Sequence, residues 1–292
     1  MELIAASRIG RSRRAAEHQR PYATALTRAV ALAASHVRGE IRHPLISQRP
    51  DVKRVALLVL AADRGMAGAY TANVLREAEG HAAELEADGY QVDRYVAGRR
   101  AVSYYDFRGV PLVKTWLGGS DSPSFNVAKD MAATLLRAFT AAVEEPDAVG
   151  ELHVVYTHFK NMVSQAPRII RLLPLELVEG EDPDEVVVLR ETAAGQRSAA
   201  EVFPLYSFEP SPEGVLDALL PRYVRSRLFD CLLQAAASEL ANRQRAMHTA
   251  TDNADDMVRK YTRLANQARQ ADITQEISEI VSGADAMAAT AH

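Results

Sequence analysis

Cysteine is nearly missing from this chain of 292 residues: Cys231 stands alone. That excludes an internal disulfide and any cysteine-built zinc site. The eight histidines are scattered. His153 and His158 fall in or beside one expected strand at odd spacing, so they face opposite sides and make a poor metal pair. An excess of positive charge is missing too: the net charge is −4, which speaks against nucleic-acid binding. No apolar stretch reaches the ~20 residues needed to span a bilayer. No secretory signal opens the chain. The expectation is a soluble, cytoplasmic protein without direct membrane insertion, which partners can hold at a membrane.

The most telling absence lies near the end. From Arg222 to Ser282 there is neither glycine nor proline. Such a run, if helical throughout, reaches ~90 Å at ~1.5 Å per residue. Phe229, Leu233, Ala236, Leu240, Arg243, Met247, Ala250, Ala254, Met257, Tyr261, Leu264, Ala268 and Ala271 recur in steps of four and three. Only Arg243 among them is not apolar. A period of 3.5 predicts a left-handed supercoil with a partner helix, and its alanines allow close axes. The alternative is a long amphipathic helix lying on a domain surface.

The opening residues repeat the pattern through Ala5, Ile9, Ser12, Ala16, Gln19, Ala23, Leu26, Val30, Ala33 and Val37. Pro21 is expected to interrupt or kink this helix, and Gly39 and Pro44 to end it. Two terminal helices joined through a globular insert pair most simply antiparallel. Residues 1–45 hold eight Arg and three Glu. That surplus reads either as a solvated helix face or as guidance toward an acidic partner. Beyond Ala271 the seam positions turn polar, and the apolar stripe moves to Ile273, Ile277, Ile280 and Val281, continuing to Ala284 and Met287. The N-terminal helix is too short to cover this tip, which is expected to be gripped by another protein.

Between the helices the pattern alternates strand and helix, which means an α/β layer. Val55–Ala61 is a continuous apolar run, as in a strand covered on both faces. A helix is expected at Tyr70–Asp88, a strand at Gln91–Ala97, a helix at Arg99–Phe107, a strand at Pro111–Leu117, and a helix at Pro123–Glu144. Strands at Leu152–Thr157 and Ile169–Val178 follow, with a further hairpin strand at Val186–Arg190. Gly214 is expected to precede a short helix, and Pro221 to kink or start the long one. The fold class is α/β: long N- and C-terminal helices forming an antiparallel coiled coil around an inserted Rossmann-like domain. The expected segments are 1–47, 48–210 and 211–292.

Chemistry is also lacking. The loop Ala61-Ala62-Asp63-Arg64-Gly65-Met66-Ala67-Gly68 follows a strand and opens a helix, where phosphates bind in such folds. It has no third glycine and no following Lys-Ser/Thr, so it reads as a tight turn whose Asp63 and Arg64 make local or partner contacts. There is no serine nucleophile elbow. Carboxylates such as Asp255 and Asp256 lie on the expected arm, unprotected from water. No cofactor is expected. Three classes of reading stand: a mechanical coupling subunit, an α/β enzyme or switch with a helical arm, and a coiled-coil scaffold. The imperfect glycine loop speaks against the second, and the unpartnered tip favours the first over the third.

The segments Ala250-Thr251-Asp252-Asn253-Ala254, Ala268-Arg269-Gln270-Ala271 and Ile273-Thr274-Gln275-Glu276-Ile277-Ser278-Glu279-Ile280-Val281-Ser282-Gly283-Ala284 resemble the C-terminal helix of the gamma-subunit family of F-type ATP synthases. The opening Met1-Glu2-Leu3-Ile4-Ala5-Ala6-Ser7-Arg8 is similar to that family's N-terminal helix. So are Asp63-Arg64-Gly65 with Gly68 and Asn73, and Tyr206-Ser207-Phe208-Glu209-Pro210, to its central part.

The resemblance implies a non-catalytic rotor of bacterial type, peripheral on the cytoplasmic face of the cell membrane, coupling proton-driven c-ring rotation to ATP synthesis at alpha/beta sites. It implies as partners the alpha and beta subunits, the epsilon subunit and the c-ring. It places Met1, Arg243, Arg269, Gln270, Thr274 and Glu276 at the alpha/beta ring or on the partner helix, and Tyr206 and Glu209 toward the epsilon and c-ring side. Arg243, as the charge in an apolar seam, is expected to make a specific contact. Three departures are visible. The family's N-terminal helix begins several turns before the position of Met1, so a misassigned start or a shortened second strand is expected. The family's Gly-Leu-Cys-Gly turn is Gly65-Met66-Ala67-Gly68 here. The paired-cysteine insert of chloroplast relatives is missing, so thiol control is not expected.

Overall fold

A computed structural model describes residues 2–36, 43–175, 209 and 211–290. Met1, Tyr206 and the hairpin strand expected at Val186–Arg190 lie outside the described residues. The chain divides into two units, residues 1–244 and 245–292. The first contains helix α1 (Glu2–His36), the α/β layer and the first part of helix α5 (Pro212–Thr290); the second is the remainder of α5 and the last residues.

The layer holds strands β1 (Arg54–Leu60), β2 (Gln91–Ala97), β3 (Lys114–Trp116), β4 (Glu151–Phe159) and β5 (Gln165–Leu173), in the order β3-β2-β1-β4-β5. The first four are mutually parallel and β5 runs antiparallel to β4. Helices α2 (Tyr70–Ala87), α3 (Arg99–Arg108) and α4 (Phe125–Thr140) connect them. β1 explains the layering. Its Leu57 and Val59 pack with Val74, Ala78 and Ala82 of α2 and Tyr105 of α3. Its Ala56, Leu58 and Leu60 face the other way, into a core shared with Met131 and Leu135 of α4 and Leu220 and Leu228 of α5. A strand covered on both faces needs no polar alternation, and each buried leucine contributes roughly 1.5–3 kcal/mol.

Six of the ten expected seam positions of the N-terminal helix are buried, Gln19 and Ala23 are half-buried, and the side chains of Ala16 and Val37 lie outside the described ones. Ala5, Ile9, Ser12, Leu26, Val30 and Ala33 are the six buried positions among the described side chains of α1, and all six lie on the seam. Ala5 and Ile9 pack with Leu240 and Ala241, while Leu26, Val30 and Ala33 join the core that holds Leu216, Leu220 and Leu228.

Several boundaries differ from expectation. Pro21 and Pro221 lie inside continuous helices. Pro221 is half-buried and the nearby Leu220 and Tyr223 are buried, so core packing of this turn offsets the missing N–H. There is no separate short helix after Gly214. α5 begins at Pro212, with the Ser211 hydroxyl accepting from Gly214 N at 3.2 Å, a serine cap followed by proline at the first helical position. β5 starts at Gln165, before the expected Ile169, because Pro167 sits on a sheet edge where a missing N–H is tolerated. β3 is three residues long, since only Tyr95–Ala97 of β2 pair with it.

Candidate functional site

The parallel strands β1, β2 and β3 deliver their C-terminal loops to one end of the sheet, and Asp63 ties those loops together. Its Oδ1 accepts from Arg99 N and Gly118 N, each at 3.0 Å, and Oδ2 accepts from Ser120 N at 3.0 Å. Its own N–H donates to the Ser120 hydroxyl at 2.9 Å. Burial pushes the Asp63 carboxyl up, but the three backbone donors together outweigh it and hold the pKa below the usual carboxylate value. The loops come close enough that Gly98, at φ +106°, leaves no room for a Cβ, which would lie 2.2 Å from Ala61 O. The turn expected from the glycine loop is thus a structural staple, with Asp63 consumed in local contacts. A cavity of about 210 Å³ beside it is lined by Trp116, Gly118, Ser120, Met131 and Leu232.

This loop end holds α5. The Tyr70 hydroxyl donates to Ala235 O at 3.3 Å, and the Ser238 hydroxyl donates to Thr157 O at 3.1 Å. Arg8 of α1 forms an ion pair with Asp121. Arg243, 4% exposed, pairs with Glu239 at 2.6 Å. It also reaches the carbonyls of Arg64 and Gly65 at 3.3 and 3.5 Å. Burial pushes the Glu239 carboxyl up, against the pull of Arg243. A charge at this seam position therefore has a specific partner inside the chain. Glu239 and Arg243 are four residues apart on a helix, so the pair was readable from spacing alone.

The second unit is marked by its exposure. From residue 248 to residue 284 every side chain is exposed. Met257, Tyr261 and Leu264, seam positions by period, are open, as is the stripe of Ile273, Ile277, Ile280 and Val281, with Ile280 at 71%. Three of the polar groups among them bond within the helix. Thr274 Oγ1 donates to Gln270 O at 2.8 Å, Ser278 Oγ to Thr274 O at 2.8 Å, and Gln275 Nε2 to Glu279 Oε1 at 3.0 Å. Arg269 and Glu276 are exposed and form no ion pair with a described residue. Arg269, Gln270, Thr274 and Glu276 thus share one stretch of exposed helix, whereas Arg243 lies in the packed unit. Glu209 is exposed.

Two histidine contacts were invisible in the sequence. His153 meets His81 of α2, and His158 meets Gln234 of α5, so the two do face opposite sides of the sheet. Among the described residues no three His, Cys, Asp or Glu side chains are placed to hold a metal ion, and no helix is long and apolar enough to cross a membrane.

A family model described as ATP synthase matches residues 1–287. The chain is 60% identical over 290 residues to the ATP synthase gamma chain of Beutenbergia cavernae, covering 99% of this chain and 92% of that one. It is 53% identical over 290 residues to that of an Arthrobacter species, with coverages of 99% and 92%. Among solved structures it is similar to a chain of the central stalk and c-ring of Tetrahymena thermophila mitochondrial ATP synthase. The TM-score is 0.58 at 19% identity, covering 86% of this chain and 97% of that one. A chain of the Euglena gracilis mitochondrial enzyme gives a TM-score of 0.57 at 14% identity, with coverages of 98% and 94%. At these identities the structural likeness concerns the fold.

Proposed function

This chain belongs to the ATP synthase gamma-chain family, and from that premise we propose that it is the central-stalk rotor of its complex, with α5 as the driven shaft. It couples proton-driven turning of a c-ring to ATP synthesis at alpha/beta sites. The subunit is non-catalytic and binds no cofactor; the chemistry belongs to the surrounding ring. It works as a peripheral subunit on the cytoplasmic face of the bacterial membrane.

The observation that carries this reading is the exposure of every side chain from residue 248 to residue 284 while the apolar positions persist. Leaving that many large apolar groups in water is unfavourable unless they meet a partner. The partner is the ring of alpha and beta subunits. Ile273, Ile277, Ile280 and Val281 supply a greasy bearing surface, and Arg269, Gln270, Thr274 and Glu276 supply hydrogen-bonding contacts, with Met1 near the beta-subunit lever. Arg243 anchors the shaft to its own domain and stands at the lower margin of the ring contact. Tyr206 and Glu209 belong to the side facing epsilon and the c-ring.

The coiled coil of this reading is the antiparallel pairing of α1 with α5. It is supported by the packing of the early α1 residues Ala5 and Ile9 with Leu240 and Ala241, and by the sharing of one core by Leu26, Val30 and Ala33 with the first part of α5.

Co-expression with the alpha and beta subunits tests the proposal. A stoichiometric complex with coupled ATP turnover is expected, and deletion of residues 273–292 should leave the chain folded but uncouple it. Purification as a lone active enzyme, or full coupling without the tip, overturns the reading.

A further inference from the structure

On the α2 side of the sheet, away from the shaft, two imidazoles are pressed together. His81 Nε2 lies 2.6 Å from His153 Nδ1, with ring centroids 4.9 Å apart. His153 Nε2 lies 2.8 Å from Glu151 Oε2, and His81 Nδ1 lies 3.6 Å from Glu84 Oε2. The register between β4 and β5 shifts at Leu152/His153, where β5 carries one extra residue, Leu172, opposite an unbroken β4. His153 is buried. The charged groups around the pair are Glu151 on β4, Glu84 on α2 and Arg171, the cross-strand partner of His153 on β5; β1 presents Leu57 at that register.

A nitrogen–nitrogen hydrogen bond holds one proton. With His153 donating through Nε2 to Glu151, its Nδ1 is bare and accepts from His81 Nε2–H. A proton added at His153 Nδ1 has only the gap between the rings, where two N–H groups would collide.

We propose that His81 and His153 form an acid-released latch between α2 and β4, closed while His153 Nδ1 is bare and opened when it takes up a proton. Burial, with His81 and Arg171 adding positive charge nearby, keeps the His153 pKa below its ordinary value in spite of Glu151. A lowered folded value means that the stability from this group is complete above the unfolded pKa near 6.5. It is lost as pH falls from there through the folded value.

The test uses the full chain labelled with 15N-histidine, with amide exchange of residues 81–85 corrected for the pH dependence of the chemical step. At pH 7.5 His153 should carry its proton on Nε2 alone. Below about pH 6.5 the opening constant of these amides should rise, approaching about tenfold per pH unit where one proton is taken up on opening. His81→Gln should reduce that rise by removing the ring N–H that faces His153 Nδ1, leaving only the part that burial of His153 causes. The Gln amide can donate to a bare Nδ1 or, turned over, accept from a protonated one. Protonation of His153 without a change in α2 opening overturns the latch, as does an equal rise in His81→Gln or a doubly protonated His153 at pH 7.5. If the variant is unstable, the wild-type titration decides alone.

Discussion

Residues 229–243 and 250–281 belong to one helix and share one 3.5-residue period, yet the first stretch is packed almost all round and the second is bare. In the first, even positions off the seam such as Cys231, Ala235, Ala237 and Ser238 are buried, because α1, the sheet and the loop at residues 61–68 cover different sides. In the second, Tyr261 and Leu264 sit on the seam and remain exposed. Periodicity states that a helix needs a partner; it does not state whether the same chain supplies one. Under the proposed function, the difference separates the part of the helix that holds the protein together from the part offered to its neighbours.

The contrast can be broken most forcibly at the buried ion pair. Arg243→Met leaves Glu239 buried and unpaired, and should cost about 3–5 kcal/mol at neutral pH by urea unfolding. Because burial already raises the Glu239 pKa, the folded variant should favour the protonated acid. The loss should therefore shrink as pH falls, and adding Glu239→Gln should recover much of it. Leu240→Ala, a cavity among Ala5, Ile9 and Ala241, should cost about 2–5 kcal/mol in the same measurement.

Asp63→Asn keeps an acceptor toward two of the three backbone donors and turns an N–H₂ toward the third, for a loss of about 1–3 kcal/mol. Since the folded Asp63 pKa is lowered, its contribution is present above the unfolded value of 3.8. It is lost as pH falls through the folded value, and the variant should lack that acid-dependent decrement. At the other extreme, Ile277→Ala should leave the isolated chain within about 0.5 kcal/mol of wild type while weakening coupled turnover in the assembled complex. A large loss of stability in the free chain would erase the distinction between the two stretches.

Much of the architecture was legible because its signals are local. The unbroken apolar run of β1 and the 3.5 period of α1 each follow from one element's own burial. The ends of β3 and β5 were not legible, since strand length is set by the partner: β3 stops where β2 stops offering positions, and β5 extends through Pro167 because its outer edge is open. Pro221, expected to kink or start the long helix, instead lies inside it, where its neighbours Leu220 and Tyr223 are buried. At the candidate site the stripe and the polar tip residues were readable from the sequence. The role of Asp63 as a staple was only half readable, because three of its partners come from loops far away in sequence. The His81–His153 contact depends on α2 crossing β4, which no spacing encodes.

The central claim is that the second stretch of α5 is buried by other subunits and the first by its own chain. Hydrogen–deuterium exchange of the free subunit and of the subunit assembled with alpha and beta addresses it directly. The account predicts slow exchange at residues 229–243 in both states, and strong new protection at 264–281 only on assembly. Equal exchange at 264–281 in the two states would contradict it.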